Sequence, residues 1–120
     1  MNMNYFSEGN KYYNEENYKK AISLYKKSIE NDENPVCSYY NSGVCYIKLK
    51  DFDSAIYMIK KALEFHKESK YFFNLAYCYA MKNEVKKALI YFNMAYSLDD
   101  TDADCEKAIN LIISKNKKIQ

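Results

Sequence analysis

The amino-acid sequence predicts an all-α protein of seven helices, arranged as three helical hairpins and one final helix. One segment recurs with variation, as NYKKAISLY at 17–25, DFDSAIYMI at 51–59 and EVKKALIYF at 84–92. Ala21, Ala55 and Ala88 hold the same place in these segments and lie 34 and 33 residues apart. A period of this length is typical of stacked repeats, each of which is one supersecondary unit. Only two Gly and one Pro occur, which leaves few residues suited to a β-rich design.

An aromatic-rich segment precedes each recurring stretch and predicts the first helix of each hairpin. These segments are YFSEGNKYY at 5–13, YYNSGVCYI at 39–47 and FFNLAYCYA at 72–80. Gly9 and Gly43 hold one position of this alignment, and Ala76 holds it in the third segment. Since Gly inside a helix costs roughly 1 kcal/mol relative to Ala, two Gly at one repeat position indicate a closely approaching helix. We expect the opposing surface to be formed by Ala21, Ala55 and Ala88.

Polar residues mark where several helices begin. Asn34 is followed by Pro35, and proline is favoured at the first position of a helix. Asp51 and Ser69 are capping residue types placed before the next two helices. Thr101, with acidic residues at 102 and 104, is expected to begin the last helix, because negative charge near a helix N-terminus is favourable.

The last predicted helix is amphipathic and covers about residues 102–117. One face carries an apolar stripe, and the opposite face is polar. The stripe is Cys105, Ile109, Ile112 and Ile113, and the polar residues are Glu106, Lys107, Asn110 and Lys117. Since the last repeat of an array has to shield its core from solvent, we interpret this helix as a solubilising cap.

The combined pattern resembles the tetratricopeptide repeat (TPR) family over essentially the whole chain. Its aromatic, small and alanine positions are matched by Tyr5, Gly9, Tyr12, Ala21, Tyr25 and Ser28; by Tyr39, Gly43, Tyr46, Ala55, Ile59 and Ala62; and by Phe72, Leu75, Ala76, Tyr79, Ala88, Phe92 and Ala95. Glu8 and Ser42 depart from the Leu that is usual before the small residue. The resemblance implies a right-handed superhelical array of three helix-turn-helix hairpins plus the capping helix. We expect one domain, 1–120, with repeats at about 2–35, 36–68 and 69–101.

The same resemblance implies that the first helix of each repeat lines a concave groove. The expected lining residues are Phe6, Asn10, Tyr13, Tyr40, Asn41, Val44, Lys48, Lys70, Phe73, Asn74 and Tyr77. This lining is aromatic and amide-rich, and a side-chain amide can both donate to and accept from a peptide backbone. Asn41 and Asn74 hold the same repeat position, which suits an extended segment. We therefore predict a non-catalytic adaptor or scaffold that binds an extended peptide or a helix of a partner protein.

Two alternatives for the interaction remain open. Some TPR domains use a two-carboxylate clamp to grip the acidic C-terminus of chaperones, and Asn10, Asn41 and Lys70 match that pattern. Phe6 and Asn74 stand where the clamp has Lys and Arg, and the lost Arg removes a bidentate fork for a carboxylate. The other alternative is self-association through the convex face of the third repeat. Its apolar residues are Ile90, Tyr91 and Met94, with Tyr57 and Met58 as an extension, unless the capping helix covers them.

Composition argues against several other classes of protein. All 18 basic residues are Lys and they are mixed with 16 acidic residues, so no basic stripe for nucleic acid stands out. No segment approaches the ~20 apolar residues that span a bilayer, and the N-terminus lacks the features of a signal peptide. None of the four cysteines forms a C-x-x-C pair, and His66 has no ligand-spaced neighbour. We expect a cytoplasmic protein without cofactor, metal or catalytic site, as a monomer or weak homo-oligomer.

Overall fold

Seven α-helices and no strand make up residues 4–119, the part of the chain that this computed structural model describes. The helices are α1 (Tyr5–Asn14), α2 (Tyr18–Glu30), α3 (Pro35–Lys48), α4 (Phe52–Leu63), α5 (Ser69–Met81), α6 (Val85–Leu98) and α7 (Ala103–Ile119). The predicted all-α class and the three hairpins followed by one helix are confirmed. The chain forms two compact units, Met1–His66 with α1 to α4 and Lys67–Gln120 with α5 to α7.

In the first unit, each helix packs against the next one along the chain, so α1 contacts α2, α2 contacts α3 and α3 contacts α4. The centre of this packing is a buried cluster of Ala21, Ile22, Tyr25 and Cys45. Its members come from the second and third helices, and half-buried rings of α1, such as Phe6, pack against it. Burial of these apolar surfaces holds the two hairpins of the unit together.

The two glycines of α1 and α3 permit the close approach that their spacing predicts, but the nearest side chains are larger than the expected alanines. A Cβ atom at Gly9 would lie 2.7 Å from Cε1 of Tyr25, and one at Gly43 would lie 2.6 Å from Cγ1 of Ile59. Tyr25 and Ile59 are fully buried and hold the same repeat position, four residues beyond the alanines. The expected alanines are found in part: the Ala55 carbonyl oxygen lies 3.4 Å from the Cβ position at Gly43, whereas the three nearest atoms at Gly9 all belong to Tyr25 and not to Ala21. The helices approach closely because a large side chain lies over each glycine.

The turn inside each hairpin has the same backbone conformation. Glu16, Lys50 and Asn83 adopt positive φ values of 62° in all three turns. The next residue donates its backbone N–H to the carbonyl of Tyr12, Tyr46 or Tyr79, each at 2.9 Å. This is the six-to-one hydrogen bond of a Schellman motif, which pairs carbonyl groups that the helix end leaves unsatisfied. The three hairpins thus turn by one local mechanism, although none has a Gly at the left-handed position.

The predicted helix starts are partly confirmed. Asn34 precedes α3 with Pro35 at its first position, and Asp51 Oδ1 accepts from Ser54 N at 3.2 Å at the start of α4. Ser69 is the first residue of α5 and not its cap, which is Glu68, and the Ser69 hydroxyl donates to the Ala95 carbonyl at 2.9 Å. Asp102 caps α7 by accepting from Cys105 N at 3.2 Å, whereas the Thr101 hydroxyl donates to Asp99 Oδ1. The expected caps at Ser69 and Thr101 are therefore wrong, since both hydroxyls bond elsewhere.

In the second unit, α5 packs against α6, and α6 packs against α7. Aromatic rings dominate the hairpin, where Tyr91 stacks on both Phe72 and Tyr79 at centroid distances of 6.2 and 5.5 Å.

Helix α7 follows the predicted stripe only at its beginning. Cys105 is fully buried, Ile109 and Ile112 are half-buried, but Ile113 is 39% exposed. Ile113 therefore departs from the expected apolar contact face. The side chain of Lys117 and the first boundary, at residue 2, lie outside the described residues. The division into repeats and the single domain remain predictions.

Candidate functional site

Three side chains from the first three helices form a hydrogen-bonded cluster in the first unit. The Tyr25 hydroxyl of α2 donates to Asn10 Oδ1 of α1 at 2.6 Å. Asn41 Nδ2 of α3 donates to the same oxygen at 3.3 Å and to the Tyr25 hydroxyl oxygen at 3.5 Å. One tyrosine hydroxyl therefore fixes the positions of two asparagine side chains that are 31 residues apart.

In each asparagine, one polar atom of the side-chain amide is left for a further hydrogen bond. Asn10 Nδ2 and Asn41 Oδ1 have no hydrogen-bond partner among the residues that the structure describes. Both atoms reach solvent, because in this part of the chain Ser42 Oγ is the one buried side-chain nitrogen or oxygen without a partner. A free donor next to a free acceptor is complementary to a peptide group, which offers one C=O and one N–H.

The environment of Tyr25 keeps its hydroxyl protonated. The side chain is fully buried, and the Phe6 ring packs against it with a centroid distance of 6.1 Å. Burial raises the pKa of the Tyr25 hydroxyl well above its usual value, and the neighbouring Cys45 adds to this increase. The hydroxyl therefore remains a donor at neutral pH, and the orientation of Asn10 does not depend on pH in that range.

The aromatic residues that were predicted on α1 contribute to packing as well as to the surface. Phe6 and Tyr13 are half-buried and lie against the buried cluster around Tyr25. The Tyr13 ring meets the Tyr18 ring edge to face at 5.9 Å, and burial raises the pKa of the Tyr13 hydroxyl. These rings pack against the hairpin and keep a solvent-accessible edge.

The predicted residues of α3 share one face of that helix, since Val44 lies four residues after Tyr40 and three after Asn41, and Lys48 lies four residues after Val44. Tyr40, Asn41 and Val44 are half-buried, and Lys48 is exposed at the end of the helix. The polar cluster at Asn41 is thus flanked by an aromatic ring and an aliphatic side chain on the same surface.

The predicted residues of α5 belong to the second unit and share one face of their helix. Phe73 is half-buried and meets the Phe92 ring edge to face at 5.3 Å. Lys70 Nζ lies 4.0 Å from the Glu68 carboxylate and is largely exposed. Asn74 is half-buried, whereas Tyr77 is 38% exposed.

Sequence reasoning placed Tyr25 in the core and missed its polar role. The ring does pack beside Gly9, as its repeat position predicts, but its hydroxyl holds the two asparagines. The signal in the sequence is that Ile59 and Phe92 occupy the same repeat position without a hydroxyl. A lone tyrosine at a position otherwise apolar indicates a buried hydrogen bond nearby.

The described residues contain neither a metal-ligand cluster nor a membrane-spanning helix. In residues 4–119, no group of three or more His, Cys, Asp or Glu side chains is arranged to hold a metal ion. Within the same residues, no helix combines the length and apolar character that crossing a membrane requires.

A family model and several curated proteins match the sequence. The family model described as "Anaphase-promoting complex, cyclosome, subunit 3" matches residues 2–62. Sperm-associated antigen 1 of Homo sapiens is 29% identical over 115 residues, which is 92% of this chain and 12% of that protein. Protein STIP1 homolog of Dictyostelium discoideum is 31% identical over 104 residues, which is 80% of this chain and 18% of that protein. The chain therefore spans less than a fifth of the length of either relative.

A solved structure matches the fold over nearly the whole chain. It is described as the first TPR of Spaghetti (RPAP3) bound to HSP90 peptide SRMEEVD. The TM-score is 0.86 at 19% identity, and the match covers 94% of this chain and 90% of the other. At this level of identity the likeness concerns the fold, which is an array of helical hairpins.

Proposed function

Because the chain belongs to the tetratricopeptide repeat family, we propose that it is a non-catalytic protein-interaction module that binds an extended peptide segment of a partner protein. One observation supports this function above the others. Asn10 Nδ2 and Asn41 Oδ1 are left unpaired, open to solvent and fixed by Tyr25. An extended peptide has an unpaired N–H and C=O at each residue, so it is the ligand that this donor and acceptor fit.

In the proposed complex, a peptide carbonyl accepts from Asn10 Nδ2 and a peptide N–H donates to Asn41 Oδ1. The hydrogen bonds to Tyr25 orient both amides before the peptide arrives. Preorganised side chains lose little conformational entropy on binding, which leaves more of the contact energy for affinity. Backbone contacts of this kind set the direction of a peptide but do not read its side chains.

The aromatic residues near these amides are the proposed source of side-chain preference. Rings that are partly buried and rigidly packed are typical anchors at interfaces, because they bury much area at low entropic cost. In the first unit the proposed contacts are Phe6, Tyr13, Tyr40, Val44 and Lys48. For the second unit, taken by itself, the proposed peptide contacts are Lys70, Phe73, Asn74 and Tyr77.

The test is selection of binders from a display library of random twelve-residue peptides, followed by affinity measurement on variants. Asn10→Ala and Asn41→Ala remove one hydrogen bond to the peptide each, so we expect each to weaken binding by about tenfold. Asn93→Ala serves as the matched control, because Asn93 is an exposed amide on α6 and its loss should change nothing. Failure to select any binder, or equal affinities for all four proteins, would contradict the proposal.

A second candidate is the binding of an acidic C-terminus. The solved TPR domain with TM-score 0.86 was determined with the peptide SRMEEVD, and Asn10, Asn41 and Lys70 match the carboxylate-clamp pattern. Calorimetry with SRMEEVD and with its C-terminal amide separates the two candidates. Salt-sensitive binding that is lost on amidation supports the clamp, whereas equal binding of both forms supports recognition of the backbone alone.

We also propose a cytoplasmic location. This is supported by four free cysteines, of which Cys37 is exposed, because thiols persist in reducing compartments.

A further inference from the structure

Helix α6 exposes an apolar stripe along its length. Ile90, Met94 and Leu98 follow one another at intervals of four residues and are 57%, 42% and 51% exposed. Neither α5 nor α7, the two helices that pack against α6, covers them. Tyr91, which the sequence suggested for the same surface, instead stacks inside the hairpin. We call Ile90, Met94 and Leu98 the α6 stripe.

The other repeats show that the hairpin does not need apolar residues at these positions. The corresponding residues of the first repeat are Ser23, Lys27 and Asn31, and all three are exposed. In the second repeat they are Tyr57, Lys61 and Phe65. The same backbone therefore tolerates a wholly polar stripe in the first repeat. Because contiguous exposed apolar side chains mark interaction sites, the α6 stripe is a candidate interface.

Charges at the two ends of α6 have opposite signs. Lys86 and Lys87 lie in the first turn, and Asp99 and Asp100 follow the last turn. Lys87 pairs with Glu84 at 3.5 Å, but Lys86 and Asp100 have no ion pair within residues 4–119. Positive charge at a helix start and negative charge at its end are both unfavourable for the helix dipole. This arrangement becomes favourable when a second helix lies alongside in the opposite direction.

We infer that the α6 stripe binds a second copy of this chain, with the two α6 helices antiparallel about a two-fold axis near Met94. In this arrangement Ile90 faces Leu98 of the second copy, and Met94 faces Met94. Lys86 comes to lie near the acidic segment after Leu98 of the second copy, and the same contact repeats on the other side. The surface is thus complementary to itself, as a two-fold interface requires.

The size of the stripe sets the strength of the predicted association. Helix α6 has 14 residues and so is about 21 Å long. Three side chains from each copy form an interface smaller than the roughly 1,200 Å² that stable complexes bury. We therefore expect a weak dimer, with a dissociation constant on the order of 0.1 mM.

Sedimentation at concentrations from about 10 µM to 1 mM tests the inference. The wild type is compared with a variant that carries the polar residues of the first repeat at the α6 stripe. The triple variant Ile90→Ser, Met94→Lys, Leu98→Asn should weaken dimerisation by at least about tenfold. Tyr57→Ser is the matched control, because it removes an exposed apolar side chain from the corresponding position of α4. Circular dichroism checks that all variants keep the helical content of the wild type. A wild type that stays monomeric at 1 mM, or a triple variant that still dimerises, overturns the inference.

Charge reversal tests the antiparallel orientation. Lys86→Glu and Asp100→Lys should each weaken the dimer by about fivefold, because each replaces two attractive contacts by repulsive ones. The double variant exchanges the two charges and should restore wild-type affinity within about twofold. Additive weakening in the double variant contradicts the antiparallel arrangement.

The position of the two-fold axis has its own test. In a Cys37→Ser background, Met94→Cys should form a disulfide-linked dimer under mild oxidation, whereas Ile90→Cys should not. Two Cys can be bridged only when their Cα atoms are within about 7 Å, which the arrangement allows at Met94. Efficient cross-linking at Ile90 but not at Met94 would refute this register.

Discussion

At the scale of single residues, two buried serines of α3 differ in how their hydroxyls are satisfied. Ser38 Oγ lies 2.5 Å from Ser28 Oγ, which itself donates to the Tyr25 carbonyl at 2.7 Å. Ser42 Oγ is buried without a partner in the described part of the chain. The same substitution is therefore expected to act in opposite directions at two positions one turn apart.

Ser42→Ala should raise the free energy of unfolding by about 1 kcal/mol, because it removes an unsatisfied buried hydroxyl and improves helix propensity. Ser38→Ala should lower it by about 1 kcal/mol, because Ser28 loses a hydrogen-bond partner. Urea unfolding measures both changes. A destabilised Ser42→Ala variant would mean that its hydroxyl has a partner in solution.

Residue-scale contacts also mark the limit of what could be predicted from the sequence. Gly9 and Gly43 predicted close helix packing. Gly destabilises a helix interior relative to Ala, so it is expected there where a side chain would not fit. The pattern gives the spacing of the small residues but not which side chain lies over a glycine, so it does not identify Tyr25 and Ile59 in that role. The bond from Tyr25 to Asn10 joins two helices, so no local pattern reports it.

At the scale of elements, each turn inside a hairpin holds one residue in a left-handed backbone conformation. Lys50 sits at φ 62° between α3 and α4, where a residue with a Cβ atom is disfavoured. Asn83 holds the same place in the third hairpin and is the residue type that best tolerates this conformation after Gly.

Lys50→Gly should raise the free energy of unfolding by about 0.5–1 kcal/mol, since Gly adopts positive φ without strain. Lys26→Gly, at an exposed position within α2, is the matched control and should cost about 1 kcal/mol. Thermal and urea unfolding should both show that Lys50→Gly stabilises the protein and that Lys26→Gly destabilises it. Destabilisation by Lys50→Gly would show that the lysine side chain makes a favourable contact in that turn.

Helix starts were predictable at Asp51, whose side chain caps α4, and at Pro35, whose fixed φ suits the first position of α3 although Asn34 makes no side-chain cap bond. The capping residue was not predictable near Ser69 and Thr101, because a hydroxyl can also bond to a distant carbonyl or a nearby carboxylate. Capping types in a sequence show that a helix starts nearby. Tertiary contacts decide which residue forms the cap.

At the scale of the whole molecule, buried thiols are expected to make the folded chain less stable as the pH becomes alkaline. Burial raises the pKa of Cys45 and of Cys78 from 9.0 to about 12, and it has the same effect on Cys105, with Asp102 contributing. The unfolded chain therefore loses these protons at lower pH than the folded chain does. The stability from keeping the thiols neutral is complete below about pH 9 and is lost as the pH rises toward 12.

The melting temperature should thus fall between pH 8 and pH 10.5, with each buried thiol contributing on the order of 1 kcal/mol at the upper pH. Cys78→Ala should be less stable at pH 8 but should show a shallower decline. Cys37→Ala, at an exposed position, should keep the wild-type profile. Equal slopes for all three proteins would show that other groups cause the decline.

The central claim is that Asn10 and Asn41 present an oriented donor and acceptor to a peptide. Its most direct test is the nitrogen-15 NMR signal of the side-chain amides during titration with a selected peptide. At saturation, the Asn10 Nδ2 resonances should shift and their protons should exchange more slowly with solvent, while those of Asn93 stay unchanged. Saturation binding that leaves the Asn10 and Asn41 signals in place would contradict it.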